Sequence, residues 1–435
     1  MKREGMLFLY RTQWGVRLIE KISDKYQKQL KLLKYVVIFV GFCLMGIMIY
    51  LFGYSLWQYI INSQITRAIK APPIAPLIPY FPKLFGMESF FPQLYFIYFI
   101  IIISLVAFVH EFFHGIFMKL FKIRIKSTGI VFLGPILGAF VEQDDKQMIK
   151  KKNSEQMCIL ASGVFANLIL CISCFIIMIG FFYFAYAPSG YIFNTYSMGT
   201  INKTDISGFG LTSNENLTEV FSKNRTFYLD EELKLQLDET FEGKNLSYLV
   251  VYDGPAITSG LKGAITEINR EKIRSREDLQ NFMATTTPGE KVFIKTKDNE
   301  EIRNFEFILG TNPNDNSIGY LGIGSYTIPK KGILSGVIRT ITKFKEPNIL
   351  YEPKSFPKLA NFIYDFFWWI VMINLLVALF NMLPLGILDG GRFFYLAVLS
   401  LTKSKNISKW SFKLVTWVIL FFFALMMFLW FIRMF

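Results

Sequence analysis

Charged residues are scarce in this 435-residue chain, at 18% of the sequence, whereas hydrophobic residues make up 52%. This balance argues against an ordinary water-soluble protein. The apolar residues are concentrated in runs of about 20 or more, the length that crosses a hydrocarbon core roughly 30 Å thick. We therefore expect a polytopic α-helical membrane protein with about five to six membrane segments.

Cysteine is also rare. The four cysteines, Cys43, Cys158, Cys171 and Cys174, all lie in or beside apolar runs, so a disulfide framework is not expected. Cys171 and Cys174 form a CxxC pair, but the pair lies within a continuous apolar helix and has no second pair to complete a metal site. We interpret these thiols as small packing residues.

Negative charge is in deficit, because 33 acidic residues stand against 47 lysines and arginines and leave a net charge of +14. A basic chain can bind nucleic acid, but here the positive charges gather in short segments beside apolar runs, where they fix orientation in the membrane. We therefore expect no nucleic-acid partner. The positive-inside rule predicts a cytoplasmic amino terminus, because basic segments precede the first span and follow the second.

The alternation of apolar and polar stretches divides the chain into six parts. These are a basic cytoplasmic amino-terminal segment (1–34), a first span (35–61), a first core part with the second and third spans (94–186), a polar extracytoplasmic domain (187–330), a second core part with the fourth span (361–392), and a last span (410–432). A proline-rich connection with Pro72, Pro73, Pro76 and Pro79 joins the first two spans on the outer side.

A short apolar stretch follows the second span. Gly129 to Val141 reads GIVFLGPILGAFV, which is too short to span and is punctuated by glycine and proline. Irregular backbone at membrane depth must be buried in protein or line a cavity. The stretch is therefore predicted to form a re-entrant or hairpin loop that dips toward the protein interior.

The polar domain between the third and fourth spans has the patterns of a folded β-containing domain. Apolar residues alternate at Lys291 to Thr296 and at Arg303 to Leu309, and Arg276 to Met283 has the pattern of a helix. Four glycosylation sequons start at Asn202, Asn216, Asn224 and Asn245, which agrees with an exterior location in a host that glycosylates.

The chain has two histidines, His110 and His114, and they enclose Glu111 in the sequence HEFFH. On a helix, positions i and i+4 lie about 40° apart around the axis and about 6 Å along it, so both imidazoles can converge on one ion. Glu111 projects beside them and can serve as a general base. Ionisable groups in a membrane helix are costly unless paired, and a divalent cation supplies the partner.

Catalytic zinc usually takes three protein ligands and leaves one position open. The candidate for the third is Asp389, in the run NMLPLGILDGG that directly follows the fourth apolar helix. Pro384 is expected to end that helix, and Gly390 and Gly391 are expected to let the backbone bend so that the carboxylate turns inward.

These motifs resemble those of the site-2 protease family of intramembrane metalloproteases. HEFFH matches the family's HExxH, and NMLPLGILDGG matches its asparagine, proline and LDG segment. The third span carries Ala161 to Asn167, which looks like the family's small-residue and asparagine motif, and the three core spans follow in the family's order.

The resemblance implies a role for each matching position. His110, His114 and Asp389 would bind Zn²⁺, and Glu111 would be the catalytic base. Asn381 would bind the substrate backbone or stabilise the oxyanion, with a hydrogen bond between helices as the alternative. Asn167 is a second and weaker candidate for the same role, again with a hydrogen bond between helices as the alternative.

The polar domain resembles a PDZ module, a common insertion in this family. The similarity is carried by Gly254, Pro255, Ala256, Ser259, Gly260, Leu261 and Ile265 to Asn269. Lys262, Gly263 and Ala264 stand where the usual Gly-Asp pair would be, so the resemblance supports a spacer or a steric filter as much as peptide binding. Thr200 to Tyr252 has no clear counterpart.

The expected function is hydrolysis of peptide bonds in or near transmembrane helices of other membrane proteins, in contact with the lipid bilayer. Two alternatives stay open. One is a catalytically inactive membrane scaffold of the same fold, and the other is a metal transporter or sensor, which the absence of a chain of further intramembrane acids disfavours. The sequence gives no indication of the oligomeric state.

Overall fold

The computed structural model describes residues 2–4, 7–61, 78–84, 87, 91–133, 136–211, 217–222, 225–230, 247–298, 301–312, 315–324 and 342–434. Most of the proline-rich connection lies outside the described residues, as do Gly134 and Pro135 of the predicted loop. The sequons at Asn216, Asn224 and Asn245 also lie outside them. The chain forms two units, Met1–Phe182 with Asn361–Phe435, and Tyr183–Ala360.

The described helices are α1 (Trp14–Lys25), α2 (Gln27–Ile61), α3 (Phe81–Leu84), α4 (Phe96–Leu120), α5 (Asp145–Ile149), α6 (Asn153–Ala185), α7 (Pro255–Thr258), α8 (Arg276–Ala284), α9 (Pro357–Asn381), α10 (Asp389–Thr402) and α11 (Lys405–Met434). In the described part of the chain, α2, α4, α6, α9 and α11 are long and apolar enough to cross a membrane. Together with the β-rich second unit, they confirm the predicted fold class, a polytopic helical membrane protein with an inserted β-containing region.

Several helices extend beyond the apolar runs that identified them. α2 begins at Gln27, within the basic amino-terminal segment, and α11 begins at Lys405. Hydropathy detects the part of a helix that lies in hydrocarbon, whereas backbone hydrogen bonding continues into the polar flank. In the membrane unit, fully buried side chains from four of these helices and α10 share one apolar cluster; examples are Val37, Phe117, Val164, Ala378 and Phe393.

The described strands of the membrane unit are β1 (Lys2–Glu4), β2 (Leu7–Thr12), β3 (Ile125–Leu133) and β4 (Ile136–Gln143), and they form an antiparallel sheet in that order. The predicted loop is thus a β-hairpin, with Ile130 opposite Ala139. The basic amino-terminal segment contributes β1, β2 and α1. No strand was predicted in this segment, because its basic composition indicates orientation in the membrane and carries no strand signal.

Helix α1 packs directly onto α4. Ile19 is fully buried, and a Cβ atom added to Gly115 would lie 2.6 Å from the Ile19 Cδ1 atom. Lys119 donates to Glu20 at 2.9 Å, which joins the same two helices at their polar end. The amino-terminal segment therefore supports the helix that carries both histidines.

The described strands of the second unit are β5 (Tyr186–Ile192), β6 (Thr195–Tyr196), β7 (Met198–Asn202), β8 (Ile206–Leu211), β9 (Leu217–Ser222), β10 (Arg225–Asp230), β11 (Ser247–Tyr252), β12 (Ala264–Ile268), β13 (Glu271–Lys272), β14 (Lys291–Asp298), β15 (Glu301–Ile308), β16 (Gly310–Thr311), β17 (Gly319–Tyr320), β18 (Ile323–Gly324) and β19 (Ile349–Pro353). One sheet has the order β7-β11-β10-β9-β8, and another has β15-β14-β12-β5-β19 with β13 paired to β12. β14, β15 and α8 confirm the two predicted strands and the predicted helix, which begins with a capping box of Ser275 and Asp278.

An ion pair and a hydrogen bond link three strands of the sheet β15-β14-β12-β5-β19. Glu352 on β19 accepts hydrogen bonds from Lys297 on β14 and from Ser189 on β5. The hydrogen bond from Lys297 and, to a smaller extent, the one from Ser189 hold the pKa of Glu352 below its usual value. A depressed carboxyl pKa adds stability at neutral pH and loses that contribution as the pH falls below the unfolded-state value of about 4.3.

We therefore expect Glu352→Gln to speed hydrogen exchange of the β5 and β19 amides about two- to fivefold at pH 7, the range for a partly exposed ion pair. The difference between the variant and the wild type should shrink as the pH falls below about 4.3. Glu301→Gln is the matched control, because Glu301 pairs with Arg303 on its own strand. Equal exchange in the wild type and Glu352→Gln at pH 7 would show that the pair does not join the strands.

Candidate metal centre

Two buried imidazoles lie side by side on α4. His110 is 8% exposed and His114 6%, and their Nε2 atoms are 3.0 Å apart. The four-residue spacing places both rings on one face of the helix, as predicted. Both Nε2 atoms therefore point to the same small volume.

Asp389 completes a triangle of donor atoms with these imidazoles. Its Oδ2 atom lies 3.1 Å from Nε2 of His110 and 3.3 Å from Nε2 of His114. Ligand atoms of a tetrahedral zinc site with bonds of about 2.0–2.1 Å are roughly 3.3 Å apart. The three predicted ligands are thus brought together at separations that suit one small divalent cation.

Gly163 on α6 leaves the space that an ion at this triangle needs. A Cβ atom at Gly163 would lie 2.5 Å from Nε2 of His114 and 2.7 Å from Nε2 of His110. Even a methyl group would occupy the volume in front of both metal-facing nitrogens. The sequence placed Gly163 in a small-residue motif, and its role as open space at the ligands becomes visible only in the structure.

The far side of each imidazole contacts α6. Nδ1 of His114 is 2.6 Å from the backbone carbonyl oxygen of Ile159, and Nδ1 of His110 is 3.2 Å from the amide Nδ2 of Asn167. Asn167 is fully buried and its Oδ1 has no hydrogen-bond partner among the described residues. Ile159 was not singled out from the sequence, because a backbone carbonyl leaves no residue-type signal.

Glu111 lies next to the triangle of donor atoms but is not part of it. Its carboxylate and one nitrogen from each histidine lie within 4.8 Å of one another. Two carboxylates thus lie near the histidines. The Asp389 carboxylate is nearly equidistant from the two Nε2 atoms, at 3.1 and 3.3 Å, within the 4.8 Å that bounds the Glu111 cluster. Asp389 suits the role of third ligand, which leaves the Glu111 carboxylate available for proton transfer.

The two glycines after Asp389 act by close packing, and the expectation that they bend the chain is wrong. Neither has a positive φ, and both lie within α10. A Cβ at Gly390 would lie 2.4 Å from the carbonyl oxygen of Met382, and one at Gly391 would lie 2.1 Å from that of Leu385. Their bare backbone lets the first turn of α10 pack against residues 382–386, which holds Asp389 beside the histidines.

Asn381 is the last residue of α9 and is half-buried. Within the described part of the chain, no hydrogen bond or ion pair joins its side chain to His110, His114 or Asp389.

Another asparagine of α9, Asn374, is fully buried, donates to the carbonyl oxygen of Ile370 at 2.7 Å and has an Oδ1 atom without a hydrogen-bond partner among the described residues. Asn374 was not predicted as a site residue, because it lies inside a continuous apolar run.

Two comparisons relate the sequence of this chain to known proteins. The chain is 25% identical over 392 residues to the uncharacterized protein MJ0971 of Methanocaldococcus jannaschii, an alignment that covers 89% of this chain and 76% of the relative. The model of Peptidase family M50 matches residues 98–427, a range that contains both histidines, Glu111 and Asp389. Because this match covers about three quarters of its length, the chain belongs to Peptidase family M50.

Proposed function

We propose that this protein is a zinc endopeptidase that cleaves other membrane proteins within or near their transmembrane helices. The observation that carries the proposal is the triangle of His110, His114 and Asp389 with Glu111 beside it, built on apolar helices. Two imidazoles and one carboxylate are a donor set that zinc accepts, with a position left for substrate or water. Membership in Peptidase family M50 supports the same reaction class.

The proposed chemistry divides between the cation and Glu111. When bound, a zinc ion polarises the carbonyl of the scissile peptide and promotes ionisation of water. The carboxylate of Glu111 accepts a proton from the attacking water and passes it to the departing amine. His110, His114 and Asp389 hold their positions through packing on α6 and α10, so little reorganisation is needed during the reaction.

The substrate must lose helical hydrogen bonds before its scissile peptide can be attacked, so we propose that it binds in an extended form near Glu111. A cavity of about 130 Å³ beside Glu111 supports this proposal. It lies between α1, α4 and the sheet, and its lining includes Phe108, Phe112, Ile130 and Phe140. An apolar side chain of a transmembrane substrate suits such a lining. Asn381 remains a proposed contact for the substrate backbone.

We also propose that the amino terminus is cytoplasmic and that the second unit is extracytoplasmic, because lysines and arginines flank the first two spans on one side. The second unit contains a groove of about 700 Å³ lined by α8 and by residues 318–324. Such a groove is compatible with a PDZ-like role in admitting or filtering substrates. The proposed partners are therefore transmembrane proteins and the surrounding lipid.

Metal removal tests the proposed function. Purified protein in lipid should cleave single-span substrates, lose at least about 90% of the activity after dialysis against a chelator, and recover it with one equivalent of Zn²⁺. Full activity in the metal-free protein would contradict the proposal. Zinc binding without cleavage of any substrate in a broad panel would favour a scaffold, and zinc flux into liposomes would favour a transporter.

A further inference from the structure

Three residues on one stripe of α6 face the two histidines. Ile159, Gly163 and Asn167 are spaced by four, so they lie on one side of the helix about 6 Å apart along its axis. Ile159 contacts His114, Gly163 faces both rings, and Asn167 contacts His110. Ile159 and Asn167 therefore meet the imidazoles at their Nδ1 atoms, away from Asp389, whereas Gly163 lies beside the Nε2 atoms.

The donor triangle determines where the ring protons must be. An imidazole that coordinates a cation through Nε2 carries its proton on Nδ1, so Nδ1 becomes a hydrogen-bond donor. For His114 the acceptor is present, because the carbonyl oxygen of Ile159 lies 2.6 Å from Nδ1. His110 needs an acceptor in the equivalent place.

The side chain of Asn167 is the group that occupies this place, at 3.2 Å from Nδ1 of His110. Its Nδ2 faces the ring, while its Oδ1 is buried without a hydrogen-bond partner in the described part of the chain. An amide nitrogen cannot accept from an N–H group, whereas the amide oxygen can. A half-turn of the amide exchanges the two atoms within the same volume and gives both Nδ1 of His110 and Oδ1 of Asn167 a partner.

We propose that Asn167 is a positioning residue for the metal ligand His110. Its Oδ1 accepts the Nδ1–H of His110, which fixes the tautomer and the ring orientation that present Nε2 to the cation. Asn167 is 0% exposed, so a side chain in this position acts through the imidazole and does not reach the substrate. This assigns Asn167 a role other than the substrate binding expected from the sequence.

The test measures zinc affinity without any reaction. Zinc dissociation constants of the full-length protein in lipid are determined by competition with a chromophoric chelator. Asn167→Leu, which keeps the volume and removes the acceptor, should bind zinc about 10- to 100-fold more weakly, the usual effect of losing a hydrogen-bond partner of a ligating histidine. Asn167→Asp, which keeps an acceptor oxygen, should bind within about threefold of the wild type or more tightly.

Asn374→Leu is the matched control. It removes another fully buried asparagine with an unpartnered Oδ1, but one whose amide bonds Ile370 on its own helix. Its zinc affinity should equal that of the wild type. If Asn167→Leu binds zinc as tightly as the wild type and has a raised KM for the substrate, the inference is overturned and Asn167 binds substrate instead.

Two further outcomes are also decisive. Equal weakening in Asn167→Leu and Asn167→Asp would overturn the inference, because packing and not the acceptor would then be responsible. If Asn167→Leu does not fold, the Asn167→Asp variant decides alone, since weakened zinc binding there contradicts the acceptor role. The inference rests on the proposed metal centre, but the experiment distinguishes the failure of one from the failure of the other. If the wild-type protein does not bind zinc, both the metal centre and the inference are wrong. If Asn167→Leu binds zinc as tightly as the wild type, only the inference is wrong.

Discussion

Replacing Glu111 with glutamine is expected to reduce the cleavage rate by about 10²- to 10⁴-fold while the protein keeps its zinc. The side chains have nearly the same shape, but an amide cannot accept the proton of the attacking water, and general-base catalysis contributes a factor of this size. The zinc content should stay near one equivalent, because His110, His114 and Asp389 supply the donor triangle. Initial cleavage rates and metal analysis on the same samples check both parts.

Asp365→Asn is the matched control for this substitution. Asp365 is another acid on an apolar helix, α9. The adjacent Phe366 packs against Tyr98, which is about 18 Å from His110 along α4. Its replacement should leave the zinc content unchanged and change cleavage by less than about threefold. Wild-type cleavage in Glu111→Gln would exclude Glu111 as the base, and loss of zinc in that variant would make Glu111 a ligand instead.

Gly163→Ala is expected to remove zinc from the protein, with a fall in affinity of at least about 100-fold. The added methyl group would lie within 2.7 Å of three atoms of the two imidazoles. Close-packed interiors do not accommodate such contacts without displacing one of the groups. Either the rings move and the triangle opens, or the methyl group occupies the position of the ion. Zinc titration monitored by calorimetry measures the effect.

Gly180→Ala, on the same helix, separates this effect from a general effect of alanine in α6. No described atom lies within 4 Å of a Cβ added at Gly180, and alanine is a better helix former than glycine. We expect the Gly180 variant to bind zinc like the wild type and to be at least as stable. One full equivalent of tightly bound zinc in Gly163→Ala would contradict the assigned position of the cation.

The metal centre was predictable to the extent that its signals are local or carried by rare residue types. Two histidines at a helical spacing, with a glutamate between them, predict their own convergence on one ion. Asp389 is 279 residues from His110, and no local rule relates such distant positions. The family resemblance and the LDGG segment supplied that link, and the structure brings the three donor atoms together.

Features that depend on backbone contacts were not predictable in the same way. The carbonyl of Ile159 and the open space at Gly163 have no signature in residue type. The close approach of Gly390 to Met382 could not be distinguished from a need for flexibility, because glycine serves both purposes. Only the neighbouring atoms separate the two explanations.

In the fold, too, the features with a local sequence pattern were predictable and those that depend on distant contacts were not. The apolar runs predicted the spanning helices, and alternation predicted β14 and β15. The sheet of β7 to β11 covers the stretch for which the sequence offered no counterpart. Its small core includes Ile201 of β7 and Val250 of β11, and these two strands pair although more than forty residues separate them in the chain. β2 likewise pairs with β3, a partner more than a hundred residues away, and β1 pairs with the other edge of β2.

The most direct test of the central claim is to locate the bonds that the protein cuts. Purified zinc-loaded protein in lipid is incubated with single-span substrates, and the new termini are identified by mass spectrometry. We predict termini within or immediately beside the apolar segment, present with the wild type and absent both after chelation and with Glu111→Gln. Termini only in segments remote from the membrane, or identical termini with Glu111→Gln, would contradict intramembrane proteolysis by this metal centre.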